Sequence, residues 1–312
     1  MESSKISFVL VNWNALSFLV GCIDSIKKNT QGLSYEIILV DNASTDGSQI
    51  YIKNNYPEII LIENDSNLGF SKANNLGINA STGNLLFLVN TDVIVLEGCI
   101  SQMVTFMIDN PSVGMAGPCI FNSDMTKQTS CSRYPGLWNH FCGALMLNKL
   151  FPNSAFLSSW RMDYWDHRST KVVNVLSGCF WVIRRLSLEE VGLLDENFFI
   201  YGEDVDWSRR FNFSKWDVCF NSDAQAVHFG GASSSRMPIK FYLEMQIANL
   251  QYWRKHHGAI KVIGFKLIIV LHHVIRLSFR VVNALVRNRK NEIKASIKIQ
   301  QSIAVIKWAP FA

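Results

Sequence analysis

An α/β fold, with a mostly parallel central sheet flanked by helices, is predicted by three observations on the first 120 residues. Short β-branched runs alternate with helical patterns, the runs are strongly apolar, and each ends in a polar residue or cluster. Such alternation argues for βαβ units and a buried sheet. The elements follow in order. "KISFVLVN" is the first strand and ends at Asn12, "YEIILVD" the second, ending at Asp41, and "EIILIE" the third, ending at Glu63. "NLLFLVNTD" closes the fourth on Asn90 and Asp92, and "VGMAGPCIF" follows. In open α/β sheets ligands bind outside the carboxyl ends of the strands, so these polar ends are expected to converge on one crevice. Residues from about 122 to 170 show no clear periodicity and mix Trp, Tyr, Pro, Asn and Ser, as expected of long functional loops rather than disorder. Strand patterns resume at "KVVNVLSG", "CFWVIRR", "WDVCFNSD" and "AVHFGG".

A chain of 312 residues can bury one large core, or one domain plus an appendage. Hydrophobic residues make up 48% and charged residues 18%, yet no uncharged apolar run approaches the roughly 20 residues of a membrane span, so a conventional transmembrane protein is not expected. The N-terminal "MESSKISFVLVNWN" runs straight into a strand pattern, unlike a charged leader, which places the chain in the cytoplasm. Seven cysteines, odd in number and without a Cys-x-x-Cys pair, suggest neither a disulfide framework nor a zinc site. From Lys255 onward there are eleven Lys or Arg and one acid, a net of +10 against −5 for the preceding residues. That asymmetry implies a separate basic module with an anionic partner. The expected division is 1–235, with a ligand-binding half to about 120 and a second half over 121–235, followed by a helical region over 236–312.

Within that last region His272, His273, Arg276, Arg280, Asn283, Arg287 and Lys290 recur every three or four positions. Leu271, Val274, Ile275, Val281, Val282 and Leu285 fill the opposite side. This basic amphipathic helix suits an anionic membrane surface; a helix docked on the preceding domain or on a partner subunit is the alternative. Nucleic acid is disfavoured, because stacking aromatics are sparse there.

Three stretches carry candidate chemistry. In "FIYGEDVDWSRR" a glycine followed by acids reads as a helix start, where carboxylates meet the positive end of the helix dipole. Asp206 has Arg209 and Arg210 at ion-pairing distance along the helix. Glu203 stands at the entry, where an acid also satisfies backbone N–H groups, and Asp204 has Trp207 and Ser208 at the matching spacings, neither of them cationic. On this stretch alone a capped, solvated helix start is the favoured explanation of the cluster. In "LVDNASTDGS", Asp41 and Asn42 end a strand, a place for hydrogen bonds to a ribose or base edge, although turn chemistry also favours these residues. In "NLGFSKANNLG", Gly69 lies near a helix start, and Asn74 and Asn75 have poor helix propensity, so they are retained for some gain beyond helix stability.

In this order the motifs resemble family 2 glycosyltransferases of the GT-A fold, above all bacterial rhamnosyltransferases of surface polysaccharide and O-antigen (lipopolysaccharide) synthesis. The carrying stretches are "VNWN", "VDNASTDGS", "NLGFSKANNLG", "VNTDV", "SGCFWVIRR", "VGLLDENFFIYGEDVDWSRR" and "HFGGAS", spanning roughly residues 5 to 235. The resemblance implies an inverting transfer from a nucleotide-sugar, with dTDP-L-rhamnose as first choice and a UDP-hexose as alternative, onto a glycan or lipid-linked glycan. It implies that Asp41 contacts the uridine or thymidine, with Asn12, Asn42, Asn67, Gly69, Asn74 and Asn90 on the donor side. Asp92 and His228 would hold Mg²⁺ or Mn²⁺ against the diphosphate, Asp204 would be the general base with Glu203 beside it, and Gly178 would keep the acceptor floor low. The location implied is peripheral, on the inner face of the cell membrane.

Elementary chemistry is consistent with these roles. A departing nucleoside diphosphate gains negative charge that a hard divalent cation stabilises, and an acceptor hydroxyl must lose its proton to a carboxylate within reach. The family pattern offers two carboxylates around the metal, whereas the first position here is Asn90, so a weak site completed by the diphosphate and His228 is expected. A nucleotidyltransferase would need a Gly-rich basic loop after the first strand, where "VNWNALSFL" stands instead. A non-catalytic sugar-binding relative would have lost the base or the metal ligand, and both Asp204 and Asp92 are present.

Overall fold

The computed structural model describes residues 5–162, 164–231, 237–286, 292–309 and 312. They form two compact units. The first comprises Met1–Ser132, His167–Phe199 and Glu203–Ser233; the second comprises Arg133–Asp166, Ile200–Gly202 and Ser234–Ala312. In chain order the elements are β1 (Ile6–Asn12), α1 (Leu16–Asn29), β2 (Tyr35–Asp41), α2 (Ser48–Asn55), β3 (Ile60–Glu63), α3 (Phe70–Ala80), β4 (Leu85–Asn90), β5 (Val93–Val95), α4 (Cys99–Asp109), β6 (Val113–Phe121), β7 (Cys131–Ser132), α5 (Leu137–Ala144) and α6 (Leu147–Leu150). Then come β8 (Lys171–Val172), β9 (Val175–Leu176), β10 (Phe180–Arg184), α7 (Leu188–Val191), α8 (Glu203–Asn212), β11 (Asp217–His228), α9 (Pro238–His256), α10 (Ala259–Val286) and α11 (Glu292–Trp308).

In the first unit, nine of the described strands form one sheet in the order β3-β2-β1-β4-β10-β6-β11-β5, with β8 against β11. The N-terminal strands β3, β2, β1 and β4 pair in parallel throughout. β10 enters antiparallel between β4 and β6, while β6 and β11 are parallel. Both faces are covered, as the apolar runs require. Ile37 and Leu39 of β2 join Phe8, Leu10 and Phe87 in one cluster, and the alternate residues Ile38 and Val40 pack on Ala73 of α3. α1 buries Leu19, Cys22, Ile23 and Ile26, one stripe at helical spacing. "WDVCFNSD" and "AVHFGG" contribute to a single strand, β11, whose register shifts between Asn221 and Gln225.

The second unit departs from two expectations. The stretch expected to be loops contains α5 and α6, which group with the C-terminal helices. At eight and four residues they are too short to print a helical period. In α10 the described basic side turns inward: His273 is 2% exposed, with its ring Nδ1 3.4 Å from Ser302 Oγ on α11, and the Arg280 guanidinium donates to the same hydroxyl at 2.8 Å. The apolar side faces outward instead, with Ile260, Ile263, Leu267, Leu271 and Val274 all exposed. Arg287, Lys290 and the side chains of Asn283 and Leu285 lie outside the described residues, as do Ala232 and Ser233 of "HFGGAS". Ala259–Val282 of α10 is long and apolar enough to cross a membrane by length and composition alone, although Lys261, Lys266, Arg276 and Arg280 interrupt it.

Candidate active site

Strand register builds the site. Parallel pairing sets Asn12 opposite Asp41, Asp41 opposite Glu63, and Val11 opposite Asn90, so the polar strand ends lie along one edge of the sheet. Asp41, 1% exposed, accepts hydrogen bonds from Asn12 Nδ2 at 2.8 Å, the Ser44 N–H at 2.8 Å and Gln49 Nε2 at 2.7 Å, which pins the loop after β2. Asn12 Nδ2 also reaches Ser44 Oγ at 3.0 Å, while Asn12 Oδ1 is buried without a protein partner. Such an acceptor calls for a donor from water or ligand. Asn42 donates to the Gly69 carbonyl at 3.1 Å and accepts from Asn64 at 2.8 Å.

The stretch after β3 is a turn with a fixed entry. Asn67 Oδ1 accepts the Gly69 N–H at 2.9 Å, an Asx turn, and Gly69 takes φ 85°, ψ −179° at the N-cap of α3. A Cβ there would stand 2.4 Å from the Phe199 carbonyl oxygen, to which the Phe70 N–H donates at 2.6 Å. Only glycine fits. Asn74 is buried and bonds Phe70 O within its own helix. Its neighbour makes the longer reach: Asn75 Nδ2 donates to Leu194 O at 2.9 Å and Glu196 at 3.0 Å, while its Oδ1 accepts the Leu194 N–H at 3.1 Å. Asn75 therefore ties α3 to the segment before the acidic cluster. The signal was present in its poor helix propensity, shared with Asn74.

Asp92 and His228 meet. Antiparallel pairing of β5 with β11 sets His228 opposite Val93, and the Phe229 N–H donates to Asp92 O at 3.0 Å. His228 Nε2 lies 3.2 Å from Asp92 Oδ1, and Nδ1 lies 2.7 Å from Gln128 Oε1, a residue the sequence reading did not single out. Asn90 is half-buried at the end of β4, its N–H on the Cys179 carbonyl at 2.9 Å. Among the described residues no group of three or more His, Cys, Asp or Glu could hold a metal ion. A carboxylate and an imidazole nitrogen at this separation nevertheless fit two positions of a divalent cation whose other ligands are diphosphate oxygens.

The acids of α8 divide as their spacing suggests. Asp206, buried, accepts from Arg210 Nε at 2.9 Å, and the same guanidinium donates to the Val191 and Leu193 carbonyls at 2.7 and 2.8 Å. It is structural. Glu203 is 6% exposed, and one carboxyl oxygen has no hydrogen-bond partner. Burial, reinforced by the adjacent Asp204 charge, pushes its carboxyl well above the usual carboxylate range. Asp204 is half-buried and accepts the Val205 N–H at 2.8 Å. A Cβ on Gly178 would sit 3.2 Å from the Trp181 ring and 3.7 Å from Glu203 Oε1, so a side chain there would fill the space above the Trp181 ring and beside Glu203. Burial, with smaller contributions from the charges of Asp92 and Asp204, pushes the neighbouring Cys179 thiol up to about 12.

Residues 7–192 match the profile of the family described as Glycosyl transferase family 2. Over 214 residues the chain is 28% identical to an N-acetylglucosaminyl-diphospho-decaprenol L-rhamnosyltransferase of Mycobacterium tuberculosis, covering 65% of this chain and 69% of that one. It is 22% identical to the O-antigen biosynthesis protein RfbC of Myxococcus xanthus over 73% of this chain, but spans only 18% of that protein. Its fold is similar to that of the mannosyltransferase PcManGT from Pyrobaculum calidifontis, solved in complex with GDP-Man and Mn²⁺, at TM-score 0.57 and 15% identity over 97% of this chain and 87% of that one. It is also similar to GalNAc-T7, solved with UDP, GalNAc and Mn²⁺, at TM-score 0.55 and 16% identity over 81% and 50%. The fold is therefore of the GT-A type.

Proposed function

Since this chain belongs to glycosyl transferase family 2, we propose that it moves a sugar with inversion, L-rhamnose from dTDP-rhamnose in the first instance, onto a lipid-linked glycan in surface polysaccharide synthesis. The observation that carries the reading is the Asp92–His228 contact beside the polar strand ends, with the Asn90 N–H on the Cys179 carbonyl bringing Gly178, and Glu203 next to it, to the same end of β4. Donor and acceptor chemistry then share one edge of the sheet.

On the donor side, the unpartnered Asn12 Oδ1 suits the ring N–H of a thymine or uracil, and Asp41 holds the surrounding loop in shape. Asn42, Asn67 and Gly69 fix the adjoining turn, and Asn74 bonds the Phe70 carbonyl at the start of α3. Asp92 and His228 would hold Mg²⁺ or Mn²⁺, with half-buried Asn90 alongside; when bound, the ion offsets the charge growing on the departing diphosphate. On the acceptor side Gly178 leaves room over the Trp181 ring. Burial raises the Glu203 carboxyl well above the usual range and favours its protonated form, so we assign the base role to Asp204, which takes the acceptor hydroxyl proton as that oxygen attacks the anomeric carbon.

The test is nucleoside diphosphate release from a donor panel containing dTDP-rhamnose, UDP-glucose, UDP-galactose and GDP-mannose, with Mn²⁺ and a diphospholipid-linked N-acetylglucosamine. We expect release with dTDP-rhamnose that EDTA suppresses. Release with a UDP-hexose alone would move the donor assignment, and intact donors throughout would remove the transferase reading.

A lipid-linked acceptor calls for a lipid surface, and α10 supports one. Its exposed stripe of Ile260, Ile263, Leu267, Leu271 and Val274 has the exposed cations Arg254, Lys255 and Lys261 at its N-terminal end. The proposed location is peripheral, on the cytoplasmic face. Full-length protein is expected to float with anionic phospholipid vesicles, and Ile263→Glu with Leu267→Glu to stay in the dense fraction. Equal flotation of the two would contradict this.

A further inference from the structure

We infer that Gln128 is a positioning residue for His228: it fixes the ring tautomer so that Nε2 is the nitrogen offered towards Asp92 and a shared cation. The metal-ligand part rests on the proposed function; the tautomer part does not.

The inference follows from a chain of hydrogen bonds whose direction is set at its far end. Asp124 can only accept, and its Oδ1 takes the Thr126 hydroxyl proton at 2.5 Å. Thr126 Oγ1, its proton committed, accepts from Asn122 Nδ2 at 2.9 Å. That turns Asn122 Oδ1 towards Gln128, whose Nε2 donates to it at 2.8 Å and to the His228 carbonyl at 3.2 Å. With its amide nitrogen held twice, Gln128 presents Oε1 to His228 Nδ1 at 2.7 Å, and an amide oxygen accepts only. Nδ1 must therefore carry the proton. The remaining nitrogen, Nε2, stands 3.2 Å from Asp92 Oδ1. A neutral ring so oriented directs its lone pair at a carboxylate, an arrangement that a divalent cation between the two makes favourable.

The turn that carries the chain is itself rigid. The Asn122 N–H bonds Thr126 O at 2.8 Å, the Met125 N–H bonds Asn122 O at 2.9 Å and the Gln128 N–H bonds Ile120 O at 2.8 Å, so the hairpin after β6 holds Gln128 in place. In sequence, "NSDMTKQTS" reads as an ordinary polar turn, and residues so placed are worth about 10- to 100-fold in metal affinity when they orient a ligating histidine.

The test uses full-length protein with ¹⁵N-labelled histidine. In the metal-free parent Nδ1 of the His228 ring should be protonated, whether or not Nε2 shares a second proton with Asp92, and Gln128→Leu should leave the neutral ring in the Nε2–H form. Titration with Mn²⁺ and a nucleoside diphosphate, followed by electron paramagnetic resonance, should give binding about 10- to 100-fold weaker in Gln128→Leu. Gln128→Glu keeps an acceptor facing Nδ1 but sets its second oxygen against Asn122 Oδ1 and the His228 carbonyl, so it should restore the affinity in part. Thermal unfolding of each variant reports whether the fold is intact; if Gln128→Leu is unstable, Gln128→Glu and the parent tautomer carry the test. An unprotonated Nδ1 in the parent, or parent-like Mn²⁺ affinity in a folded Gln128→Leu, overturns the inference. Failure of all donors with the tautomer and Mn²⁺ results intact would remove sugar transfer and leave Gln128 in its role.

Discussion

Asp204→Asn is expected to lower kcat by about 10²- to 10⁴-fold while leaving donor affinity close to that of the parent. Asparagine keeps the size of the side chain and an acceptor for the Val205 N–H, so the start of α8 survives. It cannot take a proton. Glu203 is a poor substitute, because burial raises its carboxyl well above the usual carboxylate range. Steady-state kinetics with a calorimetric measure of donor binding would separate the two effects. Loss of donor binding with kcat unchanged would assign Asp204 to the donor side.

Gly69→Ala is expected to destabilise the protein by about 3 kcal/mol, read as a shift in the urea unfolding midpoint. Its φ of 85° with an extended ψ is a region that side chains avoid, and the added carbon would strike the Phe199 carbonyl. That carbonyl accepts the Phe70 N–H at the start of α3 and lies four residues before Glu203. The variant should therefore weaken donor binding as well as stability, because the Asn67 turn and the Asn42 contact share the same glycine. A parent-like midpoint would mean that the segment relaxes without cost.

Much of this arrangement was legible in the sequence for identifiable reasons. Strands β1, β2, β4 and β6 announce themselves because both faces are buried and their residues are almost all apolar. Asp206 reads as structural because its partner lies four residues along the same helix. The direction of β10 does not appear in "CFWVIRR", since pairing with β4 and β6 decides it. β5, three residues long, is invisible alone and yet sets His228 beside Asp92. The amphipathic pattern of α10 is plain, but which side turns inward depends on the Ser302 hydroxyl of α11, and so the apolar side, not the basic one, is left exposed. Gln128 is hidden for a different reason. Its part depends on a direction of hydrogen bonding that only distances reveal.

One crystallographic experiment bears most directly on the shared cleft: crystals grown with dTDP and Mn²⁺, with anomalous scattering recorded at the manganese edge. A single anomalous peak bonded to Asp92 Oδ1 and His228 Nε2, with the diphosphate on it and the pyrimidine near Asn12, is the expected result. Manganese and nucleotide bound away from the carboxyl ends of β1, β2 and β4 would contradict the assignment.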